Sequence, residues 1–268
     1  MSHSNCLYLC NPTTRHWVSV FPPALQHDTV AGLYVHGPSS EYRVLYYRDI
    51  GLGPITFYIT TVGSGKERCI WPHSSSASVR KLLAGGSEDT NFKEPFLFHG
   101  NLYWLLHLPN PSDILVFDTL HEVFRWLRAP VIVRSLVSSL LEIDGKLALS
   151  YSHLGASTVD LWLLQDCEQV VWVHKHRIEL PVMEISRFEE EEECWYSHIL
   201  SREGDVLVDG FDWQLHYDIR GNLLEKFQCN GRLLNVTAKI LRESLLPRAL
   251  FQAPGNTSTP GPPFFWGL

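Results

Sequence analysis

An aromatic residue returns at near-constant intervals along this chain. Trp17, Trp71, Trp126, Trp172 and Phe227 are separated by 54, 55, 46 and 55 residues. Each closes a similar stretch: an apolar run, a turn, then a mixed run. The plainest copy is Ile114-Leu-Val-Phe-Asp118-Thr-Leu-His-Glu-Val-Phe-Arg-Trp126. Leu161 to Gln165 with Asp166 and Trp172 repeats it, as does Leu215-His-Tyr-Asp218 with Phe227. Leu7 to Asn11, with Asn-Pro opening the turn before Trp17, is a further copy. Thr56 to Val62, a Gly-Ser-Gly turn and Trp71 form a looser one. An aromatic repeat at about this spacing with turn signals inside it predicts a β-propeller. Such a unit cannot bury its own faces and must stack on its neighbours, so all share one continuous core.

The units divide into strands. The first full one runs Val30 to His36, Tyr42 to Arg48, Ile55 to Val62 and Lys66 to Trp71. The next runs Pro95 to His99, Asn101 to His107, Asp113 to Asp118 and Glu122 to Arg128. Ser135 to Ile143, Lys146 to Tyr151, Thr158 to Leu164 and Val170 to Arg177 follow. The last is Tyr196 to Ser201, Asp205 to Val208, Trp213 to Asp218 and Leu223 to Gln228. Asn5 to Cys10 and His16 to Val20 read as the final two strands of a unit whose first two would precede Met1. The expected fold is all-β, a propeller with about five four-stranded blades, the N-terminal one incomplete.

Turn chemistry fits. Gly100, Gly145 and Gly204 each stand between two strands, where glycine supplies the positive φ of a tight hairpin. Asp118, Asp166 and Asp218 suit Asx turns, in which the carboxylate accepts bonds from amides just ahead of it. Blade ends carrying the strand 1–2 and 3–4 turns are therefore short. The 2–3 and 4–1 connections hold the long loops, Phe21 to Thr29, Pro72 to Glu94 and Glu179 to Trp195. Binding residues concentrate on loops that a rigid scaffold positions. The candidate partner-binding residues are accordingly the acidic run Glu189, Glu190, Glu191, Glu192 and Glu193, with Trp195 and Trp213 as aromatic anchors. Residues 1–235 are expected to form the propeller domain. Residues 236–268 follow as a C-terminal helix or closing strand and a mobile tail rich in Pro, Gly, Ser and Thr. Gly231 to Ile240 is the stretch suited to close the ring beside Asn5 to Cys10.

The net charge of −7 argues against a nucleic-acid partner, since phosphate binding needs a basic face. No apolar run reaches the roughly 18 residues that suggest a membrane span. The six cysteines show no Cys-x-x-Cys, and no signal peptide opens the chain. Reduced thiols and a cytoplasmic or nuclear location are expected. Charged residues are 19% of the chain, below the roughly 25% of an average globular protein, as suits strands buried on both faces.

Signals of catalysis are weak. His174 and His176 share a strand face and could begin a metal site, but no third ligand stands at a readable spacing. Gly63-Ser-Gly65-Lys66 lacks the first glycine and the Ser/Thr of a phosphate loop. Gly-x-Ser-x-Gly is absent. No catalytic residue, metal or cofactor is assigned, and a propeller enzyme with a central-channel site stands as the alternative to a protein-binding module.

Several motifs together resemble the F-box associated domain of plant F-box proteins, the kelch-like propeller subtype. They are Cys10-Asn-Pro-Thr-Thr-Arg15-His-Trp17, Glu41-Tyr-Arg-Val-Leu45, Phe98-His-Gly-Asn-Leu-Tyr-Trp104, Val116-Phe-Asp118 and Glu122-Val-Phe124. Ile143-Asp-Gly-Lys-Leu147, Val159-Asp-Leu-Trp162 and Trp172-Val-His-Lys-His-Arg-Ile178 continue the series. The resemblance implies the substrate-recognition part of a Skp–cullin–F-box ubiquitin ligase, holding a target protein for ubiquitination. The N-terminal F-box of that family is not found in these residues. The chain is thus expected to be a truncated gene model or a genuine F-box-less paralogue, with a non-functional truncated paralogue as a further alternative, and to make no Skp-adaptor contact of its own.

Overall fold

A computed structural model describes residues 8–11, 16–19, 28–48, 56–62, 64, 67–70, 95–105, 113–130, 138–152, 158–180, 196–199, 205–209 and 213–228. These residues contain no helix, and none long and apolar enough to cross a membrane. They form antiparallel sheets in which each strand pairs with the next in sequence.

β1 (Tyr8–Asn11) and β2 (His16–Ser19) make a two-stranded sheet. β3 (Asp28–His36), β4 (Glu41–Arg48), β5 (Thr56–Thr61) and β6 (Glu67–Ile70) make the first four-stranded one. β7 (Phe96–Phe98), β8 (Asn101–Leu105), β9 (Asp113–Asp118) and β10 (Val123–Arg128) make the second. β11 (Ser138–Ile143), β12 (Lys146–Ser152), β13 (Thr158–Asp166) and β14 (Val171–Glu179) make the third. β15 (Tyr196–Ile199), β16 (Val206–Asp209), β17 (Trp213–Tyr217) and β18 (Leu223–Gln228) make the fourth. Every strand expected from the sequence is present, with ends displaced by a few residues.

The described strands fall into two compact bodies. One holds β1 to β6 together with the turn 118–123, and the other holds the remaining strands. In the first body β4 buries Val44, Leu45, Tyr46 and Tyr47 in succession. Tyr46 stacks on Tyr58 across the ladder, and Tyr47 tilts against Phe57. A strand apolar on both sides has no solvent face, which is why its sequence does not alternate. Glu122, at the end of the 118–123 turn, is the polar centre of this body. Its carboxylate accepts from the Tyr34 hydroxyl at 2.6 Å, from Arg43 at 2.6 Å and from Arg68. Burial pushes the Tyr34 phenol well above its ordinary range, although Arg43 and Arg68 pull it down. It therefore stays a neutral donor.

In the second body the middle sheet is buried from both sides. One face presents Leu140, Leu147, Leu149 and Tyr151, which pack with Phe98, Tyr103, Ile114, Val116 and Leu127 of the β7–β10 sheet. The other presents Leu141, Ile143, Val159, Leu161 and Ile178, packed with Val206, Val208, Leu215 and Tyr217 of the β15–β18 sheet. Odd and even positions of one strand thus serve different neighbours, as the two-residue period requires.

The hairpins are set by local chemistry. His99 and Gly100 have φ of 43° and 73°, and Asp144 and Gly145 have 50° and 70°. Two consecutive positive φ values define the type I′ turn, whose twist matches that of the flanking strands. Asp118 Oδ1 accepts from the amides of Leu120 and His121 at 2.8 and 3.0 Å. Asp166 Oδ1 does the same with Glu168 and Gln169, and Asp218 Oδ1 with Arg220 and Asn222. All three are Asx turns, so these carboxylates serve the backbone. The Gly204 hairpin and the expected C-terminal helix or closing strand with its tail (236–268) lie outside the described residues.

Candidate functional site

β10 ends at Arg128, and Ala129 and Pro130 follow. Proline has no amide to offer a ladder, so pairing stops there. Across from this end, in the same body, stands the turn between β13 and β14. Its Asx bonds hold the amides of Glu168 and Gln169, and Val170, which follows, has φ 56°. Glu122 occupies the same place four residues after Asp118, at φ 58°. A β-branched side chain in this region costs about 1–2 kcal/mol, which the turn sustains.

Between these segments lies an open depression of about 440 Å³, floored and walled by Trp162 of β13 and Trp172 of β14 with Arg128, Ala129, Pro130, Gln169 and Val170. Both indoles are only partly buried. Trp172 donates its Nε1–H to the main-chain oxygen of Arg128 at 2.9 Å, which fixes its ring plane. Trp162 meets the His174 imidazole edge-on at a centroid distance of 4.9 Å. Its Nε1–H is buried without an acceptor among the described residues, a local cost of about 1–3 kcal/mol.

Beyond Trp162 the outer strand is charged. Arg177 grips Asp160 through two bonds, at 2.8 and 2.9 Å, and His174 Nε2 stands 2.9 Å from the same carboxylate. The Arg177 bonds, with a smaller share from His174, hold the Asp160 carboxyl below its ordinary value against the opposing effect of partial burial. A register shift between Leu161 and Trp162 sets His174 opposite Trp162 and His176 opposite Leu161, leaving Lys175 as the extra residue of a bulge. Lys175 reaches Asp144 at 3.0 Å. His174 is thus engaged by a carboxylate, and no group of three His, Cys, Asp or Glu that could hold a metal ion occurs among the described residues. Cys69 and Cys167 are free, exposed thiols.

The described residues that line this depression do not include those singled out from sequence. Glu189 to Glu193 and Trp195 lie outside the described residues. Trp213 opens β17 opposite Gln228, and only its backbone is described. The depression itself joins a strand 3–4 turn of one sheet to the start of a connection leaving another. Sorting loops into two separate faces could not foresee this pairing. The available signal was two tryptophans on adjacent paired strands, Trp162 in Val159-Asp-Leu-Trp162 and Trp172 ten residues on.

Up-and-down four-stranded sheets, packed face to face with short pinned turns, define a β-propeller. The sequence matches the F-box associated beta propeller domain over residues 1–232, and the chain belongs to that family. No curated protein matches it. Among solved structures, "Dihydro-heme d1 dehydrogenase NirN in complex with DHE" is similar at a TM-score of 0.39 and 10% identity. The alignment covers 84% of this chain and 46% of that one, so the chain spans less than half of that structure's length. A likeness this loose carries no conclusion about chemistry.

Proposed function

We propose that this chain is a non-enzymatic protein-recognition module, the target-holding part of a Skp–cullin–F-box ubiquitin ligase. The single observation that carries the reading is the family match over residues 1–232. Rigid sheets with Asx-pinned turns suit a scaffold that presents loops rather than one that performs chemistry. In this reading the propeller contacts the target, and adaptor binding is left to an F-box. The longer 2–3 and 4–1 connections carry target contacts. There Glu189 to Glu193 favour a partner with a basic patch, chiefly by speeding encounter, and Trp195 and Trp213 supply affinity. A cytoplasmic or nuclear location goes with this role.

The test is crosslinked capture on the chain carried behind an F-box segment, in cells with cullin ligases active and blocked. Captured proteins are expected to accumulate and carry ubiquitin-dependent lifetimes that lengthen on blocking. Captured proteins whose lifetimes ignore cullin activity would contradict the ubiquitin-ligase role.

A further inference from the structure

We propose that the depression beside β10, β13 and β14 docks a short acidic and apolar peptide segment of the target protein. An aliphatic or aromatic side chain rests against Trp162 and Trp172, and a neighbouring carboxylate pairs with Arg128. This rests on the recognition reading above and adds where a linear segment binds and what it must carry.

Size and shape come first. About 440 Å³ falls within the roughly 300–1,000 Å³ range of ligand pockets and holds one or two side chains. The walls are aromatic, and partly exposed tryptophan is the residue most enriched among binding hot spots. Trp172 is already immobilised by its bond to the Arg128 carbonyl, so docking against it costs little side-chain entropy.

Charge selects the occupant. Arg43, Arg68 and Arg177 all meet carboxylates. Arg128 is exposed and lines the depression, and its guanidinium has no carboxylate partner among the described residues. A guanidinium fork matches a carboxylate in two parallel bonds. Most of the chain's net charge of −7 is screened at this site, since charges beyond the Debye length of about 8 Å count little at physiological salt; the near carboxylates are those of the turn, Glu168 and Asp166, the latter engaged by two amides. Gln169 adds an exposed amide that can bond a peptide main chain as donor and acceptor. The acidic run Glu189 to Glu193 is read as favouring a basic surface, so the two features call for opposite charge on the target.

The experiment pans a random short-peptide phage library on the full 268-residue chain. Binding of the enriched peptides is then measured by fluorescence anisotropy. Enriched sequences are expected to pair Asp or Glu with an aliphatic or aromatic residue. Arg128→Glu and Arg128→Gln are expected to weaken binding about tenfold or more. Changing the peptide's acidic residue to its amide does likewise. Gln169→Trp, which fills the depression, abolishes binding. Arg125→Glu, on the same strand but its other face, leaves binding and melting temperature unchanged. Enrichment of basic or uncharged peptides, affinity indifferent to Arg128, or no enrichment at all overturns the proposal. None of these outcomes touches the recognition reading, which stands or falls on the cullin-dependent lifetimes of captured proteins.

Discussion

The indole of Trp172 closes onto the main-chain oxygen of Arg128, forty-four residues earlier, at 2.9 Å. It joins the outermost strand of one sheet to the end of another within the second body. Trp172→Phe removes the donor and keeps an aromatic ring, smaller than the indole, at a half-buried position. We expect a loss of about 1 kcal/mol, the ordinary net value of one hydrogen bond, read as a lower urea midpoint at unchanged slope. A loss of several kcal/mol would mean that the ring's packing, not this bond, was disturbed.

Glu122 should be the most sensitive polar residue of the first body. Its side chain is 7% exposed and the Arg43 side chain 17%, whereas that of Arg68 is 56% exposed. Arg68 can turn to water, so its pairing adds little. Tyr34 cannot, and Arg43 keeps Glu41 at 2.8 Å as a second partner. Glu122→Ala is expected to cost about 2 kcal/mol by removing the acceptor that Tyr34 and Arg43 share, and Tyr34→Phe about 1.5 kcal/mol. Equilibrium denaturation of both variants and their double mutant measures this. Strict additivity would show that the two side chains do not act through one another.

Two glycines with similar backbone angles should respond differently to alanine. Gly145 has φ 70° and open space where a Cβ would go. Gly145→Ala costs only the left-handed strain, about 1–2 kcal/mol. Gly221 has φ 78°, and a Cβ there runs into the main-chain oxygen of Glu179. Backbone has to move, so Gly221→Ala should lower the melting temperature distinctly more. Equal shifts would contradict the close approach of the β17–β18 turn to the end of β14.

Acid should destabilise the fold through two turn carboxylates, Asp118 and Asp218, and the strand carboxylate Asp160. Asp118, Asp160 and Asp218 all titrate below the ordinary value of 3.8. For Asp118, burial works the other way and is outweighed by the His121 side chain and the amides of His121 and Leu120. For Asp160 the Arg177 bonds lead, and for Asp218 the side chain and amide of Asn222. A folded pKa below the unfolded one means that the unfolded chain binds more protons in this window. The stabilisation is fully present above about pH 4 and is lost as pH falls through the depressed folded values. Urea midpoints should therefore decline on acidification below about pH 4, and Asp160→Asn should flatten part of that slope. Stability that rises on acidification would refute the assignment.

Much of this architecture was legible because it is written in local chemistry. Alternation, glycine between strands and aspartate after an apolar run need no knowledge of the rest of the chain. Strand ends were less so. β13 runs on to Asp166 rather than Leu164, and β14 to Glu179 rather than Arg177, since pairing partners, not residue preference, decide where a ladder stops. The aromatic repeat was legible as spacing, yet its described members do not fill the core. Trp126 and Trp172 are half-buried and Phe227 is exposed. These residues mark the outermost strands, while Ile114 to Phe117 and their counterparts are buried. The depression at Trp162 and Trp172 was not legible. It arises where twisted neighbouring sheets bring residues 128–130 to 169–172, and no period in the sequence encodes that meeting.

The most direct measurement is a reconstituted ubiquitination. The chain is placed behind an F-box segment, assembled with the Skp adaptor and a cullin ligase, and supplied with a protein it captures. The account predicts ubiquitin on that protein only when the propeller is present and folded, with loss of transfer when the captured protein is competed away. Ubiquitin transfer that proceeds equally well without the propeller, or capture that never leads to transfer, would contradict it.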